Sequence, residues 1–273
     1  MTRPQSCSRT IGIALALLTL LQTGCSRPFH LWDASTASIP RSESVTLAML
    51  ASDSVAVLAP ITPPALKGYG TVLSYSLDEA LARASKPIHT VPSYESLTRI
   101  NRRGFAPDYQ RMVAGFDEAR LFDRQLLDRV GSALGARYVL QPGLAEFSQT
   151  LSTRLDLMGY IAVRTRSSTL RLWLQLWDAK TGEILWESAG EITVSTEIVN
   201  EIQVPLNDMG EKLWALMIED LLGNKLRSKI FITEPVQETK PEPAPPAQKT
   251  VTQTPETRPE PPAEAPPASA PAP

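Results

Sequence analysis

Histidine and cysteine are almost missing from this chain of 273 residues, at two residues each, and the shortage removes several kinds of chemistry. Cys7 and Cys25 are too few and too close to the N-terminus to frame a fold with disulfides. A zinc-type site needs clustered ligands; with only His30 and His89, neither an H-E-x-x-H pattern nor a cysteine pair occurs. A serine or cysteine hydrolase needs a base beside its nucleophile, and G-x-S-x-G is absent. Gly68-Tyr69-Gly70 is too short for a dinucleotide fingerprint, and no phosphate loop with its lysine is present. The expectation is a protein that is not an enzyme and uses no metal or cofactor. Carboxylate-only chemistry stays open, because two acids can come from anywhere in a chain. Asp117, Glu118, Asp123 and Asp128 lie on a predicted helix, where acids facing water are the default.

Excess charge and long apolar runs are scarce as well. The net charge of −2 argues against nucleic acid as the main partner, since phosphate binding needs a concentrated basic surface. Two small basic groups, Arg164, Arg166 and Arg171, and Arg99, Arg102 and Arg103, read as solvated faces. The apolar run at residues 11–21 would make a helix of about 16 Å, too short for a bilayer core of about 30 Å. It follows Arg3 and Arg9 with no acid between, the layout of an export signal.

That run leads into Leu21-Gln22-Thr23-Gly24-Cys25, which resembles the bacterial lipobox. The resemblance implies cleavage between Gly24 and Cys25, with lipid on the Cys25 sulfur; Gln22 departs from the aliphatic residue usual at its position. Ser26, where a sorting aspartate is missing, points by the same resemblance to the outer membrane, with the protein on its periplasmic face. Two lipid chains suffice for stable anchoring.

Proline is unevenly placed: 13 of 24 lie from Pro235 onward, in a stretch without aromatic, glycine, leucine or isoleucine. Such a stretch cannot build a core. The expected organisation is a signal peptide at 1–24, a lipid-anchored tether at 25–52, a periplasmic domain at 53–233 and a disordered Pro/Ala/Glu-rich tail at 234–273.

Inside the domain the periodicity alternates between strand and helix. Residues 54–60 form a β-branched run closed by proline, fit for a buried strand. Ser76 to Glu79 reads as a capping box opening a helix that Pro87 ends. A short strand is expected at 87–92, then a helix capped by Ser93. One long helix is expected over about 116–134, stopped by Gly135, running into a strand from Arg137 to Phe147. Leu170, Leu172, Leu174 and Leu176 alternate strictly with Arg171, Trp173, Gln175 and Trp177. A turn at 178–182 returns the chain as a hairpin partner over 183–194, with Trp173, Trp177 and Trp186 available for the second face. A last helix is expected at 206–222 with Gly223 as its stop. The sum is an α/β (or α+β) fold, a mixed sheet with helices packed on it.

The order of these elements, with Leu134-Gly135-Ala136-Arg137-Tyr138-Val139-Leu140 and Trp177-Asp178 through Thr181-Gly182-Glu183 as its most specific pieces, is similar to the curli-secretion lipoprotein (CsgG-like) group. Related domains occur in penicillin-binding-protein activator lipoproteins and at the N-terminus of the Tol-Pal β-propeller protein. The resemblance spans about residues 53–222. It implies a non-catalytic accessory or assembly role in the cell envelope through protein-protein binding, with an envelope protein or peptidoglycan as partner and a homo-oligomer among the allowed states. The alternative is a subunit of an oligomeric export channel. Its pore-forming members need long amphipathic hairpins, and residues 149–166 alternate poorly for that purpose, so the accessory role ranks first.

Overall fold

A computed structural model describes residues 29–42, 47–155, 161–198 and 205–235. Gly24, Cys25 and Ser26, the signal segment and the tail beyond 235 lie outside them. Along the chain the elements are β1 (Phe29–Pro40), α1 (Leu47–Ser52), β2 (Val55–Val57), a 3-10 turn (Pro64–Tyr69), α2 (Gly70–Ala82), β3 (Thr90–Val91), α3 (Ser93–Arg102), α4 (Ala106–Ala119), α5 (Arg124–Leu134), β4 (Tyr138–Leu155), β5 (Ile161–Asp178), β6 (Ile184–Ile198), α6 (Leu206–Gly223) and β7 (Arg227–Pro235).

The strands form one mixed sheet in the order β3-β2-β4-β5-β6-β1-β7. β2 runs parallel to both its neighbours, β3 and β4, and all three of its residues are buried, as expected for a strand covered on both faces. From β4 through β7 every pairing is antiparallel. The alternation read from the sequence sets the two cores. Leu170, Leu172, Leu174 and Leu176 point to one face, where Leu73 and Leu77 of α2 and Leu213, Trp214 and Met217 of α6 cover them. Val139 and Trp177 point to the other, under Phe116 of α4 and Leu127, Val130 and Leu134 of α5. Each such side chain contributes about 1.5–3 kcal/mol through burial.

Several local expectations are corrected. The long helix over 116–134 is two helices: Arg120 turns left-handed at φ 56°, and Asp123 caps α5, its side chain accepting the Leu126 N–H at 2.9 Å. Gly135, with φ 69°, ends α5 as read from the sequence. Ser76 opens no helix. It sits inside α2, buried, and donates to the Leu73 carbonyl three residues back at 3.0 Å. Ser93 is the first helical residue of α3 rather than its cap, and α6 stops on Asn224, which takes the left-handed conformation at φ 49°.

The larger correction concerns the tether. Residues 29–40, read as part of a surface linker, are β1, paired with β6 on one side and β7 on the other. The linker reading failed because the pattern of β1 is inverted. Phe29, Leu31 and Ile39 are exposed, while Thr36 and Ser38 are buried beside Trp32 and Ala34. Small hydroxyl side chains can turn inward here because a carboxylate waits for them: Asp220 of α6, fully buried, accepts hydrogen bonds from Thr36, from Ser38 at 3.4 Å and from Ser228 of β7 at 2.5 Å. Ser38 also donates to Ser188 of β6 at 2.9 Å. One acid thus joins α6 to β1 and β7. The folded block also extends past the expected boundary at 233, because Glu234 and Pro235 still pair with β1.

A second acid of α6, Glu219, reaches the α2–β3 connection, where Ser85 donates both its N–H at 2.9 Å and its hydroxyl at 2.7 Å. These bonds hold the Glu219 carboxyl below the usual range. A depressed acid stabilises the fold above its unfolded pKa and loses that contribution as pH falls through its folded pKa. Glu219→Gln is therefore expected to lower stability at neutral pH by at most about 1 kcal/mol, since the site is open to water, and to bring variant and parent together under acid. Urea midpoints at pH 7 and pH 3 check this; a difference that persists at pH 3 would refute it.

Candidate functional site

The chain leaves the parallel strands β2 and β3 toward opposite faces of the sheet. After β2 it turns through Pro63 and Pro64 into α2 on one face of the sheet; after β3 it passes Pro92 into α3 on the other. Where adjacent parallel strands send their helices to opposite faces, a crevice opens beyond the carboxyl ends of the strands, the usual place for a binding site in such sheets. The backbone past β2 is fixed there: Leu58 N–H donates to the Leu140 carbonyl at 3.0 Å, and Ile61 exchanges bonds with Pro142 and Leu144 at 3.1 and 2.9 Å.

The crevice holds about 630 Å³, within the range of ligand sites. Pro60, Tyr75 and Asp78 line it from the β2–α2 side, Tyr94 and Leu97 from α3, and Tyr109 and Val113 from α4. Tyr75 and Tyr94 are 59% and 64% exposed and Leu97 is 40% exposed. These are large apolar surfaces left on rigid helices around a hollow. Burial pushes the Tyr109 phenol up to about 12 against a hydrogen bond with the Ala59 backbone, so it stays neutral. Asp78 is raised by burial, partly offset by the Ser93 N–H that it accepts at 3.4 Å. That same bond occupies the amino end of α3, so the carboxylate already meets the positive end of the helix.

A second hollow of about 790 Å³ adjoins the first and shares Ile61, Thr62, Lys67 and Asp117 with it. Trp173 forms one wall, stacked on Phe116 with ring centroids 5.7 Å apart. Lys67 and Arg120 border it, and neither forms an ion pair with another described residue. Taken together the two hollows offer tyrosine and tryptophan rings, short apolar side chains, the carboxyl groups of Asp78 and Asp117, and the cations Lys67 and Arg120. Such a surface can make ring contacts and hydroxyl hydrogen bonds.

The residues singled out from the sequence are scattered relative to this site. Asp117 borders both hollows, Asp123 is a helix cap, and Glu118 and Asp128 face solvent. His89 meets Ser54 at 3.1 Å at the amino ends of β2 and β3, the opposite end from the crevice. His30 is in β1 rather than in a tether, 2.7 Å from the Thr196 hydroxyl, and burial lowers its pKa. Sequence reasoning missed the crevice. Its available signal was Tyr75 and Tyr94, bulky rings placed off the apolar stripes of their helices.

No protein-family profile matches the chain, and no curated protein matches it, so neither comparison supports the likeness to the curli-secretion group expected from the sequence. Solved structures with a similar course of the chain include the PelC dodecamer from Paraburkholderia phytofirmans, 14% identical, covering 69% of this chain and 96% of that one at a TM-score of 0.34. Lipoprotein GNA1162 from Neisseria meningitidis is 16% identical, covering 63% and 96% at a TM-score of 0.33. The LpoB C-terminal domain from Salmonella enterica is 20% identical, covering 55% and 86% at a TM-score of 0.32.

Proposed function

We propose that this chain is a non-catalytic lipoprotein of the bacterial cell envelope, held by lipid on Cys25 at the periplasmic face of the outer membrane. There it acts as an accessory factor by binding another envelope protein in the tyrosine-lined crevice between α2, α3 and α4. The observation that supports binding at this place is the exposure of Tyr75, Tyr94 and Leu97 around a hollow at the switch point of the sheet. Rings with few rotatable bonds on stiff helices make strong contact residues, because little side-chain freedom is lost on binding. The anchor is supported by the residue order from Leu21 to Cys25, and the accessory role by the scarcity of catalytic residue types.

The test separates binding from folding. Tyr75→Ala with Tyr94→Ala removes exposed rings only, so the unfolding free energy should change by less than about 0.5 kcal/mol per site. Two contact tyrosines lost should weaken partner capture at least tenfold, equivalent to about 1.4 kcal/mol. Capture unchanged in the double variant would contradict the reading. For the anchor, Cys25→Ala should move the protein from the membrane fraction to the soluble fraction of the envelope, and unchanged fractionation would contradict it.

A further inference from the structure

The two ends of the sheet are unequal. β3 has two residues, whereas β7 has nine and is the last strand in the described sheet. A long bare edge invites pairing with another chain, and proteins ordinarily blunt such edges. Along β7, residues 227, 229, 231, 233 and 235 are exposed, and Phe231 at the centre is 62% exposed.

The hydrogen-bond parity of β7 follows from one bond at its start. Ser38 N–H donates to the Leu226 carbonyl at 2.8 Å, and residue 226 continues the register in which Ala37 faces Arg227. In an antiparallel ladder both backbone groups of a residue point the same way and neighbours alternate. Even-numbered residues of β7 therefore bond to β1, and odd-numbered residues present their N–H and C=O groups outward. The bond from Arg41 N–H to the Leu185 carbonyl at 2.9 Å agrees, since it turns odd residues of β1 toward β6. Pro235, which lacks an N–H, is odd, so its missing donor falls on the outer side, where proline is tolerated.

We propose that β7 pairs antiparallel with β7 of a second copy, in the register that sets Phe231 opposite Phe231. This register makes about eight backbone hydrogen bonds from the outward groups. It places Phe231 against Phe231 on the open face and Ile230 against Ile232 on the helix-covered face. Lys229 meets Thr233 and Arg227 meets Pro235, so no like charges face each other. Sliding the strands by two pairs to centre on Lys229 would oppose Lys229 to Lys229, which is unfavourable. Centred on Phe231, the sequence of β7 therefore pairs apolar with apolar on both faces and opposes no like charges. A contact of this two-fold kind closes at two copies, and it is independent of the crevice.

Disulfide trapping tests the register. In the full chain with Cys7→Ser and Cys25→Ser, Phe231→Cys places its two Cα atoms about 5.5 Å apart, within disulfide reach. It should give a covalent dimer under mild oxidation. Lys229→Cys alone should not, whereas Lys229→Cys combined with Thr233→Cys should. A separate variant, Phe231→Pro, deletes an outward donor without touching the bonds to β1; it should shift wild-type dimer to monomer in sedimentation while the unfolding transition stays cooperative. The proposal is overturned by absence of dimer from both trapping variants, by equal trapping at every position, or by Phe231→Pro leaving the oligomeric state unchanged.

Discussion

Asp220→Ala is expected to lower the unfolding free energy by about 3–5 kcal/mol, because it removes the short hydrogen bonds from Thr36 and Ser228 to a buried carboxylate, worth about 1.5–3 kcal/mol each. The carboxylate is fully buried and accepts from Thr36, Ser38 and Ser228. Its loss strands the buried Thr36 hydroxyl, while Ser38 keeps its bond to Ser188 at 2.9 Å, and an unmet buried donor costs about 1–3 kcal/mol. In a domain of this size the thermal midpoint should fall by roughly 10 °C. The loss should also be local in character. Since Asp220 joins β1 and β7 to α6, hydrogen exchange should show β1 and β7 opening well below the global free energy, with β4 and β5 still protected. Asp220→Asn keeps the shape and one acceptor and should cost less. Uniform loss of protection across the sheet would contradict the local reading.

Gly143→Ala should be the next most damaging single change. A Cβ added at Gly143 would lie 2.0 Å from Cε2 and Cζ2 of Trp173, so the indole would have to leave its place across β4. It is stacked on Phe116, which in turn contacts Phe122 and Trp177, and its removal disturbs the core beneath α4. Overpacking of this kind costs about 1–3 kcal/mol. Trp173 also walls the second hollow, so a changed tryptophan emission should accompany the stability loss. An unchanged emission spectrum with unchanged stability would show that the indole yields freely.

The contrast between Leu170–Leu176 and β1 shows which parts of this fold can be read in advance. Alternating leucines between covered faces are legible because burial selects apolar side chains at every second position. β1 reverses the rule: Thr36 and Ser38 go inward because Asp220, about 180 residues later in the chain, satisfies them. No local pattern contains that partner. β7 escaped for a related reason, since its one apolar-in row is broken by Ser228 at the same acid and Glu234 at Lys212, 2.8 Å away. The break between α4 and α5 was visible in principle through Asp123 as a cap, yet the apolar spacing continued across it. The crevice depends on the divergence of α2 and α3 from neighbouring strands, a property of topology that Tyr75 and Tyr94 do not reveal by themselves.

In the proposed function the crevice is the face that meets another envelope protein. A photoreactive residue placed at position 75 or 94 of the lipid-anchored chain, compared with one at position 171 on the open sheet face, measures this in living cells. One discrete adduct is expected, shared by positions 75 and 94 and absent at 171. An adduct formed at 171 with none from either crevice position would contradict it.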